Sequence, residues 1–276
     1  MKKLILSVLL IPAVFSAQQT VSRDPEIANY VSQVSADSLK SHINKLVSFG
    51  TRHTMSSTTD AKKGIGAARN WVLSKFKNYA KNADGRMEVF LQSQTIQPDG
   101  KRINQPTDLG NAIAILRGTD PNDKRIFMIG GHLDSRVSDV MNAKDFAPGA
   151  NDDGSGVGAV IESARILSQS KFPATIVFVA FSGEEQGLLG AKMLAEKAKN
   201  ENWQLEALLN NDMVSNNLSS ETNLINANQN TWPNLDKILK LGQIWPRYSK
   251  IFSFTWKTWS YSPADSTNRF LAKNYP

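Results

Sequence analysis

Seven consecutive residues, Thr175-Ile176-Val177-Phe178-Val179-Ala180-Phe181, constrain the fold of this 276-residue chain more than any other stretch. They are β-branched and aromatic without polar alternation, the pattern of a strand covered on both faces. Such a strand needs helices on either side of its sheet. Further strand-like runs at 87–94, 112–116, 126–129 and 205–209 alternate with helical spacing through Val157, Val160, Ile161, Ala164 and Leu167 and with a helix over 188–199. Upstream, Leu39, Ile43, Leu46 and Val47 predict a helix within 35–49, capped by Asp37 or Ser38, stopped by Gly50 and carrying His42 on its surface. A second helix aligns Ile65, Ala68, Val72, Phe76 and Tyr79, and a polar loop at 51–59 holds His53. Strand and helix alternate, so the expected class is α/β, with an at least partly parallel sheet between helices.

In such folds ligands bind at the carboxyl ends of strands, and here each of those loops delivers a carboxylate. Gly130-Gly131-His132-Leu133-Asp134 follows one strand, and Asn151-Asp152-Asp153-Gly154-Ser155-Gly156 opens the next helix. Ser182-Gly183-Glu184-Glu185 follows the seven-residue run, and Asn210-Asn211-Asp212 follows the last strand. Carboxylates crowded at one sheet edge repel, and a divalent cation neutralises them. An imidazole with Asp and Glu oxygens and no sulfur suits catalytic zinc, and less often manganese or cobalt. Taken singly, Asp152 or Asp153 reads as a helix N-cap and His132 as an ordinary histidine.

Composition narrows the alternatives. The chain is 41% hydrophobic and 21% charged, which excludes disorder, collagen and coiled coil. At 30.4 kDa it buries roughly 70% of its unfolded surface, so a metal here serves chemistry rather than folding. With no cysteine, a disulfide framework, a thiol nucleophile and a Cys-ligated metal are excluded. Met1-Lys2-Lys3, an apolar run at 4–15, then Ser16 and Ala17 predict a secretory signal peptide over 1–17, cut after Ser16 or Ala17. The apolar run is too short to span a bilayer, and no second long one follows. The mature protein is therefore expected to be secreted or periplasmic. Without Lys2 and Lys3, the basic count of 32 falls to 30 against 25 acidic residues, a scattered excess of +5. No clustered basic stripe marks a nucleic-acid surface.

His132-x-Asp134, Asp152-Asp153-Gly-Ser-Gly, Gly183-Glu184-Glu185 and Asn211-Asp212 together resemble the co-catalytic zinc aminopeptidases of the M28 peptidase family. The stretch Ser48-Phe49-Gly50-Thr51-Arg52-His53 is similar to a recurrent N-terminal segment of that family. The resemblance implies a single α/β domain over 18–276, with a mixed, largely parallel sheet and two zinc ions sharing a carboxylate. By the same resemblance His132 and Asp212 are terminal ligands of the first zinc, Asp152 the bridge, Glu185 a ligand of the second zinc and Glu184 the general base. Asp134 then bonds the far nitrogen of His132 and fixes its tautomer. A cis peptide between Asp152 and Asp153 is also implied. The substrates implied are peptides with a free N-terminus. His53 is expected to make a structural hydrogen bond, and Gly149 and Gly154 to shape the bridge loop. Trp256, Trp259 and Tyr261 are candidates for a side-chain pocket or late core, and Tyr248 for polarising a carbonyl.

One feature of the family pattern is missing. Its last histidine, a ligand of the second zinc, precedes an aromatic residue and a Gly-Tyr-Pro-like turn. Aligning Phe270 and Tyr275-Pro276 places Thr267 there, and no histidine occurs after His132. The chain also stops at Pro276, short of the final strand and helix usual in the family. The pattern leaves three readings: a C-terminally incomplete chain, a one-metal site, or a binding domain on the same fold. Retention of Glu184, Glu185, Asp152, Asp212 and His132 favours an enzyme with one tight zinc. Glutaminyl cyclases of this fold resemble the family in keeping the last histidine and dispensing with the first, the opposite of this chain.

Overall fold

The computed structural model describes residues 24–214. Three helices come first: α1 (Pro25–Ser32), α2 (Ala36–Val47) and α3 (Gly64–Ala80). They are followed by β1 (Met87–Ile96), β2 (Thr107–Leu116), β3 (Arg125–His132), α4 (Gly154–Leu167), β4 (Thr175–Phe181), α5 (Leu189–Asn200) and β5 (Gln204–Asn210). One mixed sheet runs in the order β1-β2-β4-β3-β5. The β1–β2 and β2–β4 pairs are antiparallel, while β3 is parallel to both β4 and β5.

The seven-residue run is the central strand β4, and its period of two feeds two cores. Phe178 and Ala180 face one layer, where Leu46, Val72, Phe76, Val160 and Ile161 of α2, α3 and α4 pack. Val177, Val179 and Phe181 face the other, against Leu194, Ala195 and Ala198 of α5. The adjacent strand β2 splits the same way, Ala112, Ala114 and Leu116 to the first layer and Ile113 and Ile115 to the second. The step from β3 to β4 runs one way along the sheet and the step from β4 to β5 runs back across β3. With right-handed crossovers, α4 and α5 must then lie on opposite faces. The reversal opens a crevice at the carboxyl end of β3.

Several local expectations change. Helix α1 arises from Asp24, which accepts hydrogen bonds from the Glu26 and Ile27 amides, with Pro25 at the first position. The cap of α2 is Ser35, whose Oγ accepts from the Ser38 amide at 3.1 Å, rather than Asp37 or Ser38. Strand β2 starts at Thr107, earlier than its apolar run. Gly110 and Asn111 read as breakers but serve packing. A Cβ on Gly110 would lie 2.8 Å from Arg69 Nη1. The Asn111 amide accepts from Ser182 N and donates to Gly190 O, tying α5 to the sheet.

His42 is not on the surface. It is 4% exposed, between α2, α3 and α4, with the Trp71 ring edge-on at 5.9 Å and Glu162 Oε2 3.9 Å from Nε2. Burial, aided by Lys75 and opposed by Glu162, lowers its pKa from 6.5 to about 4. Between those values the unfolded chain binds the extra proton, so the stabilising contribution is full above pH 6.5 and is lost as pH falls towards 4. That contribution is at most about 3 kcal/mol. Urea denaturation of wild type and His42→Leu at pH 4.5 and 7.5 is expected to show a smaller acid-side loss in the variant. Equal losses in both would remove His42 as the cause.

Candidate metal centre

The crevice is built by close backbone approach. A Cβ on Gly131 would lie 2.9 Å from the Gly156 carbonyl carbon, and one on Gly156 would lie 2.2 Å from Asn211 O. Only glycine therefore lets the end of β3, the start of α4 and the segment after β5 meet. Asp153, fully buried, binds all three. Its Oδ2 accepts from His132 N at 2.9 Å, and its Oδ1 accepts from Gly156 N at 2.9 Å and Met213 N at 3.2 Å. It is the N-cap of α4, and burial pushes its pKa up to about 8. The peptide joining it to Asp152 is cis.

Asp152 faces the crevice instead. Its Oδ1 lies 3.0 Å from His132 Nε2, and Asp212 Oδ1 lies 3.8 Å from the same nitrogen. One ligand atom from each of His132, Asp152 and Asp212 falls within a 4.8 Å span. The ring is fixed from behind: Nδ1 donates to Asp134 O at 3.1 Å, so Nε2 is the nitrogen turned towards the carboxylates. Burial disfavours charge on this imidazole, yet Asp152, Asp153, Asp134 and Glu184 raise its pKa well above 6.5. The ring nitrogen and its two carboxylates thus favour a cation between them. Two oxygens and one imidazole nitrogen fit zinc, with room in the shell for substrate.

The Asp134 carboxylate acts differently from expectation. It stays 3.8 Å from Nδ1, and the residue's backbone carbonyl makes the contact. Its oxygens accept instead from Glu184 N at 3.1 Å and Glu185 N at 3.0 Å, with Thr54 Oγ1 at 3.2 Å on the second oxygen. The reason is geometric: the turn after β4 leaves these amides without ladder partners, and a buried carboxylate satisfies both. Gly183 makes that turn at φ +71°, where a side chain would be strained.

Glu184 and Glu185 leave this turn to different surroundings. Burial raises Glu184 to about 7, with Asp134, Glu185 and Asp212 adding to it and His132 opposing. Glu185 is also raised by burial, but its carboxylate meets Arg136 Nε at 2.6 Å. The structure therefore gathers His132, Asp152 and Asp212 and places Glu185 on an arginine. His53 makes structural bonds: Nδ1 accepts from Met55 N at 3.1 Å, and Nε2 lies 2.9 Å from Val140 O. Gly149 adopts φ +47°, and a Cβ there would lie 2.5 Å from Asp152 O. On Gly154 a Cβ would lie 2.7 Å from Gly149 O. Thr267, Tyr248, Trp256, Trp259, Tyr261 and the 1–17 segment lie outside the described residues.

Arg52 is the large residue whose role the sequence does not announce. Its side chain is buried and donates to four backbone carbonyls: Leu133 at 2.7 Å, Pro148 at 2.6 Å, Gly149 at 2.9 Å and Leu46 at 3.3 Å. Burial lowers its pKa to about 10, while Asp153, Asp134 and Asp152 hold it up, so it stays charged at neutral pH. Its only sequence signal is its place in the 48–53 stretch.

Known proteins share the sequence pattern and the fold of this chain. The model of Peptidase family M28 matches residues 111–248. A probable zinc metalloprotease of Pyrenophora teres f. teres is 47% identical over 199 residues, covering 72% of this chain and 43% of that protein. Another, of Pyricularia oryzae, is 43% identical over 197 residues, covering 71% and 39%. The chain thus spans less than half the length of these relatives. Among solved structures, the LapA aminopeptidase of Legionella pneumophila has a TM-score of 0.55 at 22% identity, covering 76% of this chain and 52% of that one. A leucine aminopeptidase precursor of Bacteroides thetaiotaomicron has 0.53 at 22%, covering 71% and 70%. A glutaminyl cyclase of Porphyromonas gingivalis has 0.53 at 24%, covering 65% and 61%. At these identities the likeness establishes the mixed α/β fold.

Proposed function

The chain belongs to peptidase family M28, and from that membership we propose that it is an exported zinc aminopeptidase that removes N-terminal residues from peptides. The observation that carries the reading is the grouping of His132 Nε2, Asp152 and Asp212 within 4.8 Å beside a glutamate raised to about 7. Zinc would be held by His132, Asp152 and Asp212. When bound, it supplies Lewis acidity, polarising a peptide carbonyl and making water nucleophilic near neutral pH.

The protein's own groups then handle position and protons. Asp153 and Asp134 hold the two faces of the crevice through backbone amides, so the His132 ring and the Glu184 turn keep a fixed relation. Glu184, balanced near neutrality, accepts the proton of the attacking water and returns it to the leaving amine as the C–N bond breaks. Preference for a free N-terminus is supported by the aminopeptidases among the fold neighbours. Export rests on the 1–17 segment, and on that reading the mature chain starts after Ser16 or Ala17. Thr267, where the family resemblance expects a histidine, supports a weak second metal position.

Two measurements test the function. Purified protein is expected to retain one zinc through mild dialysis and to release the chromophore from an aminoacyl nitroanilide but not from its N-acetylated form. Retained zinc with no hydrolysis would favour a binding domain. Equal cleavage of the acetylated compound would reject the aminopeptidase.

A further inference from the structure

Glu185 and Asp152 are the carboxylates that the family resemblance gives to a second metal, and Glu185 is already paired with an arginine. Arg136 Nε donates to Glu185 Oε2 at 2.6 Å. The guanidinium is steadied from its own loop, where Nη1 donates to Ser138 O at 3.2 Å and more weakly to Val137 O at 3.4 Å. The Glu185 backbone is fixed separately, its carbonyl accepting from Arg102 Nη1 at 2.7 Å. The Glu185 side chain is 14% exposed and that of Arg136 33%, so water screens the pair only in part.

We propose that Arg136 is a built-in competitor for the second metal position: its guanidinium holds the Glu185 carboxylate, and a second cation binds there only by displacing it. The inference rests on the proposed metal site and adds a cause for unequal occupancy that lies in the described residues, separate from Thr267. A guanidinium stays charged throughout the working pH range, so the competition does not relax by deprotonation and ends only when the side chain rotates away. Rotation gives up a charge-assisted hydrogen bond. That cost enters the affinity of the second ion and leaves the His132 and Asp212 side of the first ion untouched.

Zinc titration of the full chain by calorimetry, after exchange into chelator-treated buffer, tests this without reference to activity. Wild type is expected to take one tight and one weak equivalent. Arg136→Gln is expected to tighten the second by about fivefold or more and to leave the first within about twofold. Arg136→Lys, which keeps the charge without the planar fork, should fall between them. In wild type, the ¹⁵N resonance of Arg136 Nε should lose its hydrogen-bonded shift and exchange protection only as the second equivalent binds, a readout that needs no variant to fold. An unchanged or weakened second equivalent in a variant that melts like wild type would overturn the proposal. So would two equally tight equivalents in wild type, or an Arg136 signal indifferent to zinc. His132→Ala separates the two levels: persistence of the first equivalent in that variant would sink the metal site itself, whereas Arg136 is judged on the second.

Discussion

Glu184→Gln is expected to keep the tight zinc and to lower peptide hydrolysis by about a hundredfold to ten-thousandfold, the usual cost of losing a general base. The amide preserves the shape of the side chain and the backbone bond from Glu184 N to Asp134, but it accepts no proton at neutral pH. The environment of Glu184 explains the size of the effect. Burial and neighbouring carboxylates hold it near 7, where it can both take a proton from water and give it up to an amine. Glu185→Gln, one residue away, should behave otherwise. Its carboxylate is paired with Arg136, and its loss should alter metal stoichiometry more than the chemical step. Elemental analysis and nitroanilide hydrolysis of both variants decide the matter. Equal loss of metal from the two would show that the roles are wrongly divided between these neighbours.

How far such roles can be read from sequence depends on the kind of contact. The two-sided burial of 175–181 was legible because a strand with no polar alternation has few alternatives, and the observed split of Phe178 from Val177 and Val179 follows from its pleat. The grouping of His132, Asp152 and Asp212 was legible because parallel strands bring their carboxyl ends to one edge. Contacts made by backbone atoms were not. Nothing in the letters around Asp134 distinguishes a carboxylate that holds an imidazole from one that holds two amides, since either satisfies a buried acid. His42 failed for another reason. Three residues after Leu39 and four before Leu46, it lies on the buried stripe of α2 itself, so the spacing pointed inward and only the polar residue type pointed to the surface.

Arg52 shows the same blindness at larger scale, and its replacement should have the greatest effect on stability. Arg52→Met keeps an unbranched side chain of similar reach but removes the donors that satisfy the carbonyls of Leu46, Leu133, Pro148 and Gly149. The carbonyls of Leu46 and Gly149 keep the amides of Phe49 and Gly154, while those of Leu133 and Pro148 lose the guanidinium donor at about 1–3 kcal/mol each, of which relaxation and entering water return part. Removing the guanidinium also takes away a buried cation that favours charge on Asp153, Asp134 and Asp152. A net loss of about 3–5 kcal/mol is expected, the range for breaking a buried charged network from one side. Function should suffer before unfolding does. The bonds to Pro148 and Gly149 anchor the segment that presents Asp152, while the bond to Leu133 O braces the residue after His132. Zinc affinity should therefore fall in Arg52→Met even at low temperature, and Arg52→Lys should restore only part of it, because an ammonium group cannot span the same carbonyls in a planar fork. Urea denaturation followed by zinc titration of the folded fraction separates the two effects. Wild-type stability in Arg52→Met would mean that water replaces the guanidinium at little cost, and wild-type zinc affinity would mean that the 148–153 segment holds its shape without it.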